Sequence, residues 1–273
     1  MTITQVTRES DTVINPKVLL SIITVVRNDA QRLLKTINSL AGFYGDERFE
    51  HVVIDGKSSD QTLDLLRKNS QYKNFQYLSE SDNGIYDGMN KGAGLASGRF
   101  LLFLNCGDRM AMSPDRIEKL LRPVAQADES DIVCFCSRLC HGTDISVLRP
   151  QPGRLHKMPT SHQAMMFSKE FMRTHLYDTR YRIAADFNLY LSANAERVLI
   201  FTGSEPLTDI EAVGVASENP WHSYKEYLKI AAENLHGSTK WIVLARIGCK
   251  AIAAILLKKT LPKAWRDALR KTA

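Results

Sequence analysis

Apolar runs that stop at polar residues alternate, through the first half of this chain, with stretches whose apolar residues recur at helical spacing. The run Val18 to Val26 ends at Arg27-Asn28, and Asp29 to Leu40 then places Leu33, Leu34, Ile37 and Leu40 on one helical face. Phe49 to Asp55 is a second run, Asp60 is a suitable N-cap for Gln61 to Lys68, and Phe75 to Leu78 is a short third run. Such alternation predicts parallel βαβ units, hence an α/β protein with a Rossmann-like, mostly parallel central sheet flanked by helices. Ligands of such sheets bind at the carboxyl ends of the strands, where this chain carries Arg27, Asp55 and, after the run Arg99 to Leu104, Asp108.

Further along, Pro114 to Leu121 reads as a helix, Asp131 to Cys136 as a strand, and the chain to Phe167 as antiparallel pieces. A helix near Ala184 to Arg197 and closing strands Val198 to Phe201 and Leu207 to Val213 complete the pattern. The expected organisation is a flexible N-terminus (1–17), a main domain (18–217, with halves 18–110 and 111–217) and a helical, basic tail (218–273). An apolar content of 44% over 273 residues is enough for one sizeable core. The segment Ser81 to Gly98 holds five glycines. That composition weakens a helix and favours close approach of backbone to a ligand, or else marks a poorly helical connector.

The formal charge of +6 is unevenly placed. Residues 240–273 carry nine Lys or Arg and one Asp, or +8, which leaves −2 for the rest. Arg246 and Lys250 interrupt the apolar stretch Lys240 to Lys259 on one helical face, a pattern that suits an amphipathic helix lying on an anionic membrane surface rather than crossing it. Pro262 to Lys271 repeats the theme. Packing of this helix on the domain or on a second subunit, as in a homo-oligomer, is the other reading. Basic and aromatic residues form no stacking platform, so nucleic-acid binding is not expected. Five cysteines, an odd number, with no signal-peptide pattern at the start, point to a reducing cytoplasm and a peripheral place on the inner face of the membrane. Cys134, Cys136, Cys140 and His141 match no ordinary structural zinc spacing.

A ligand built of base, ribose and diphosphate finds a partner here for each part. Thr24, Val25 and Arg27 could hold base and ribose, Asp55 could accept from a nucleobase N–H, and Lys91 could meet the phosphates as a point charge. Asp108 could hold Mg²⁺ or Mn²⁺, which take carboxylate and phosphate oxygens.

The segments Leu20 to Asn28, Val52 to Thr62, Ser79 to Gly92, Gly98 to Asp108 and Ser161 to Phe167 together resemble the family 2 glycosyltransferases of the GT-A fold. Ser79-Glu-Ser-Asp-Asn-Gly-Ile-Tyr-Asp87 and Leu104-Asn-Cys-Gly-Asp108 carry the likeness most specifically. More narrowly they are similar to transferases of colanic-acid, exopolysaccharide and lipopolysaccharide synthesis. The resemblance covers about residues 18 to 217. It implies a GT-A fold with the helical extension appended, and an enzyme that moves a sugar from a nucleotide-diphospho-sugar, UDP by preference, to a lipid-linked saccharide. It further implies that Thr24, Val25, Arg27 and Asp55 bind the nucleotide. Asp82 and Lys91 would lie near the diphosphate, Asp108 would be the metal ligand, and His162 and Gln163 would line the sugar or acceptor side. Asp186 stands where the family keeps its catalytic base.

Where the wider family often has Asp-x-Asp-Asp, this chain has Asn105-Cys-Gly-Asp108. Asn105 could bind ribose or sugar as a neutral group, and a metal-independent variant stays open. A catalytically inactive binding protein is the alternative reading of this thinned motif. With Asp186 as base and no acidic partner near it in sequence, transfer would be a single displacement with inversion.

Overall fold

The computed structural model of the protein describes residues 17–127, 129–151, 155–211 and 220–260. Residues 1–16 of the expected flexible N-terminus (1–17), the end of the Leu207 to Val213 strand and the Pro262 to Lys271 segment lie outside them.

The strands are β1 (Leu20–Val26), β2 (Phe49–Asp55), β3 (Phe75–Ser79), β4 (Phe100–Phe103), β5 (Arg109–Met110), β6 (Ile132–Cys134), β7 (Cys136–His141), β8 (Asp144–Leu148), β9 (Met165–Ser168), β10 (Val198–Ile200) and β11 (Pro206–Glu211). The helices are α1 (Ala30–Ser39), α2 (Thr62–Asn69), α3 (Ile85–Leu95), α4 (Pro114–Ala127), α5 (Lys169–Thr174), α6 (Ala185–Ser192), α7 (Pro220–Asn234) and α8 (Gly237–Thr260). A seven-stranded sheet runs β10-β6-β9-β4-β1-β2-β3, and a four-stranded sheet runs β5-β11-β7-β8. In the large sheet β1, β2, β3 and β4 pair in parallel, and β9 is antiparallel to both β4 and β6. The sequence therefore folds as the predicted mostly parallel α/β sheet.

Alternation along the strands decides which helix covers which face. Ile23, Val52 and Ile54 pack on one side with Tyr86 and Met89 of α3 and Phe187 and Leu189 of α6. On the other, Val26 and Val53 pack with Leu33 and Ile37 of α1 and Leu66 of α2, while Leu20 and Ile22 meet Ile117 and Leu121 of α4. The glycine-rich segment is mostly the helix α3, and two of its glycines serve packing rather than a ligand. A Cβ on Gly92 would come within 2.4 Å of Ile23 Cγ2, and one on Gly88 within 2.7 Å of Val25 Cγ1, so α3 rests directly on β1.

The antiparallel strand β9 adds a turn to the strand tips. Its register, Leu102 opposite Met166, brings the preceding 3₁₀ turn His162–Ala164 to the carboxyl end of β4. The helix α7 joins the main core through Ile230 and Tyr227, and α8 packs on α7 through Val243 and Ile247. The boundary expected at residue 218 thus precedes a helix that belongs to the main body. On α8, Trp241, Ile242 and Ile252 face outward at 70, 54 and 60% exposure. No described helix is long and apolar enough to cross a membrane.

Candidate active site

The tips of β1, β2 and β3 are stitched together around Asp55. Its side chain is fully buried and accepts from Ser58 N (3.2 and 3.1 Å to the two oxygens), from Ser58 Oγ, and from Ser79 Oγ at 2.6 Å. Ser58 Oγ accepts in turn from Asn28 N at 2.7 Å, and Gly56 N donates to the Val26 carbonyl at 2.8 Å. Asn28 and Lys57 occupy the left-handed region, at φ of 52° and 58°. Asp55 consequently shapes this loop, and the direct nucleobase contact expected of it is not what a buried, doubly engaged carboxylate offers. Thr24 is likewise buried, its hydroxyl against His51 Nε2 at 3.1 Å, and Val25 packs under Gly88.

Arg27 and Asp82 meet across Gly56. A Cβ at Gly56 would stand 2.6 Å from Asp82 Oδ2 and 3.3 Å from Cβ and Cδ of Arg27, so the missing side chain lets the two approach. Asp82 also accepts from Gly84 N at 3.0 Å, which turns the chain into α3. Arg27 is exposed and, among the described residues, forms no ion pair. Lys91 is placed differently from expectation. Its ammonium donates to the Ser81 carbonyl at 2.8 Å and pairs with Glu80 at 2.8 Å and Asp87 at 3.4 Å, which neutralise it on the flank of α3.

After β4 the chain turns back through residues 105–108. Thr36 of α1 holds this turn: its Oγ accepts from Gly107 N at 2.9 Å and donates to the Asp108 carbonyl at 2.8 Å. Gly107 has φ of 99°, and a Cβ there would stand 2.4 Å from Arg32 Nε. Asp108 points inward. One oxygen accepts from Glu211 N and the other from Gln163 Nε2, both at 2.9 Å. Burial pushes its pKa up to about 6 against these donors. Glu211 itself is gripped by Arg32 at 3.1 Å and Lys35 at 2.9 Å, so Asp108 locks β11 of the small sheet to the large one. The described residues hold no group of three or more His, Cys, Asp or Glu that could bind a metal ion. As placed, Asp108 has both oxygens engaged and does not fit the expected role of metal ligand. Asn105 stands half-buried beside it, its carbonyl accepting from Asp108 N at 3.0 Å.

Asp186 begins α6 in a nest of aromatic residues. Oδ1 accepts from Phe187 N at 2.8 Å, and Oδ2 lies 3.7 Å from His162 Nδ1. Tyr86 reaches the same carboxylate while its hydroxyl donates to the Ile183 carbonyl at 2.8 Å, and Tyr177 and Tyr227 feel its charge. Burial raises the Asp186 pKa to about 6, helped by the nearby charge of Glu226 and opposed by the Phe187 amide. Burial lowers His162 to about 4, so the imidazole is neutral at pH 7 and its contact with Asp186 is no ion pair there. His162 Nε2 and Tyr177 Oη are both buried without a hydrogen-bond partner among the described residues. Buried polar groups left that way are uncommon.

These pieces form one continuous edge. Asp55 adjoins Gly56 and Asp82, Tyr86 links the start of α3 to Asp186, Asp186 meets His162, and the neighbouring Gln163 holds Asp108. The profile of the family described as Glycosyl transferase family 2 matches residues 21–186, which span this edge from β1 to Asp186. The chain belongs to that family.

This glycosyltransferase is 33% identical over 181 residues to an uncharacterized glycosyltransferase of Mycobacterium tuberculosis, covering 63% of this chain and 68% of that one. It is 28% identical over 267 residues to a PGL/p-HBAD biosynthesis glycosyltransferase of the same species, covering 91% and 97%. Among solved structures it superposes on S. aureus TarS in complex with UDP-GlcNAc, with a TM-score of 0.63, 20% identity and coverage of 84% and 71%. The mannosyltransferase PcManGT from Pyrobaculum calidifontis, in complex with GDP-Man and Mn²⁺, gives 0.56 at 14% identity, covering 93% and 79%. These likenesses establish the GT-A fold.

Sequence reasoning missed Ser58, Glu211 and the tyrosines around Asp186. Ser58 was within reach, since a serine three residues after a strand-terminal Asp is a common turn partner. The others come from elements far away in sequence and leave no local signal.

Proposed function

We propose that this glycosyltransferase takes a sugar from a nucleoside diphosphate, UDP by preference, and passes it with inversion to a lipid-linked saccharide of the cell surface. The observation that carries the reading is Asp186: a carboxylate held near pKa 6, mostly ionised at pH 7, beside two buried and unpartnered polar atoms. Oδ2 would take the proton of the acceptor hydroxyl as its oxygen attacks the anomeric carbon and the bond to the diphosphate breaks on the opposite face. His162 Nε2 and Tyr177 Oη would hold sugar hydroxyls. The described residue of this nest that carries a second carboxylate, Glu226, is engaged by backbone amides, which favours one displacement over two.

Negative charge grows on the leaving diphosphate, so groups near it act most strongly in the transition state. Arg27 is an exposed cation at the strand tips, and Asp82 and Asn105 would receive ribose or sugar hydroxyls. The binding of UDP-GlcNAc by TarS and of GDP-Man by the mannosyltransferase supports a nucleotide-sugar donor here. A divalent cation would bring charge neutralisation to the diphosphate. The engaged oxygens of Asp108 are no ready cradle for one, and Arg27 would be one cationic contribution of the chain's own.

On the acceptor side, a cavity of about 270 Å³ lies between residues 156–157 and the helices α7 and α8. Its lining includes Lys157, Lys250, Tyr224 and Tyr227, the last shared with the surroundings of Asp186. Its mostly apolar wall would suit the hydrocarbon of a lipid-linked acceptor. The outward Trp241, Ile242 and Ile252 of α8, with the basic residues up to 273, would rest on an anionic leaflet, each Lys or Arg contributing about 1 kcal/mol.

The test is the anomeric configuration of the product by NMR after turnover of a panel of UDP- and GDP-sugars: inversion is expected, and retention would remove Asp186 as the lone base. Thermal shifts with UDP, with and without Mn²⁺, address the cation. A UDP shift that appears only with Mn²⁺ would return Asp108 to the role first expected of it.

A further inference from the structure

The chain entering α6 is held from outside. The N-cap position, Ala184, has no side chain able to cap the helix, and the three backbone amides before Ala185 all point at one carboxylate of α7. Glu226 Oε1 accepts from Arg182 N, and Oε2 accepts from Ile183 N and Ala184 N, each at 2.9 Å. Consecutive amides gathered on an anion in this way form a nest whose geometry is set by the anion. The next residue of α7, Tyr227, packs on Phe187 with ring centroids 4.5 Å apart. The pair Glu226-Tyr227 therefore holds the chain on both sides of Asp186, through backbone amides before it and through the Phe187 ring after it.

We infer that Glu226 is the positioning residue for Asp186: it fixes the 182–184 backbone that leads into the first turn of α6, where that carboxylate stands, and it supplies the fixed negative charge near it. Its catalytic consequence rests on the reading of Asp186 as base, whereas its structural and electrostatic parts do not. The other groups around Asp186 are neutral at pH 7. His162, on the turn that leads into β9, lies 3.7 Å from Asp186 with its proton affinity lowered by burial. Tyr86 of α3, Tyr177 and Tyr227 are all held above the ordinary tyrosine range by burial. Among these neighbours Glu226 is the formal charge, and its sign favours the protonated form of Asp186. A carboxylate on an adjoining helix thus makes Asp186 a stronger base than burial alone would.

The full chain carrying Glu226→Gln tests this. Gln keeps the size and one accepting oxygen but loses the charge and the second acceptor. The ¹³C titration of the Asp186 carboxyl should move down by roughly half a unit to one unit, and hydrogen exchange at residues 182–184 should rise at least about tenfold as amide partners are lost. With a nucleotide-sugar donor, kcat should fall about 10- to 100-fold while donor KM stays put. Glu226→Asp keeps the charge on a shorter arm. It should leave the Asp186 midpoint near the wild-type value while still raising exchange and lowering kcat. A folded E226Q protein with an unmoved Asp186 midpoint overturns the inference, and so does wild-type kcat in E226D should E226Q not fold. A D186N protein that turns over donor normally would instead remove the base assignment and leave the titration and exchange results standing.

Discussion

Replacing Asp186 by Asn should make the protein more stable at neutral pH and inactive at the same time. Folding raises this carboxyl from its ordinary 3.8 to about 6, because burial penalises the charged form. A shift of one unit corresponds to about 1.36 kcal/mol, so holding Asp186 ionised costs the folded state roughly 3 kcal/mol above pH 6. The sign follows from the direction: the folded state binds the proton more tightly, so stability from this group is complete below pH 3.8 and is lost as pH rises through about 6. Asn does not titrate, and its Oδ1 can still accept from Phe187 N. The stability difference between D186N and wild type should therefore grow by about 2 kcal/mol between pH 4.5 and pH 7.5. Urea unfolding of both proteins at the two pH values reads it directly, with m-values compared to exclude a change in the unfolded state. A pH-independent difference would show that Asp186 titrates near its ordinary value in the folded protein, and burial could not then be what tunes it as a base.

Other outcomes are fixed by the same structure. The rate of sugar transfer should fall on the acid side with a midpoint near pH 6, as Asp186 takes up a proton; a flat kcat profile from pH 5 to 8 would contradict this. Arg27→Ala should weaken UDP binding about 10- to 100-fold by calorimetry, the loss of a charged hydrogen bond to phosphate, with no change in melting temperature. Gly92→Ala gains about 1 kcal/mol of helix propensity but forces a methyl to within 2.4 Å of Ile23 Cγ2, so a net loss of about 1 to 2 kcal/mol is expected in urea. Trp241→Glu with Ile252→Glu should reduce binding to vesicles rich in anionic lipid at least about tenfold while sparing UDP binding; unchanged sedimentation with vesicles would end the membrane assignment.

The sheet was legible because its signals are local. Strand runs ending at Val26, Asp55 and Leu78 and the spacing of Leu33 and Ile37 each fit within a dozen residues, and each became the expected element to within a residue or two. Positions at the strand tips were legible for the same reason, since a strand's end fixes where its next residue goes. What each side chain does there was not. Asp108 turns inward because Glu211, 103 residues later, offers it an amide, and Lys91 is neutralised by Glu80 and Asp87 only once α3 is formed. The glycines of α3 answer to Ile23 and Val25 beneath them, a contact that no composition reveals. Glu226 stands 42 to 44 residues from the amides it holds, inside a segment that read as tail.

The central claim is that Asp186 accepts the proton of the attacking hydroxyl at one shared edge of the sheet. Single-turnover rates of wild type and D186N with a nucleotide-sugar donor at pH 7.5, at matched UDP affinity, measure it most directly. A loss of about 10²- to 10⁴-fold in the D186N rate is the expected result, and a rate within a factor of about three of wild type would contradict the account.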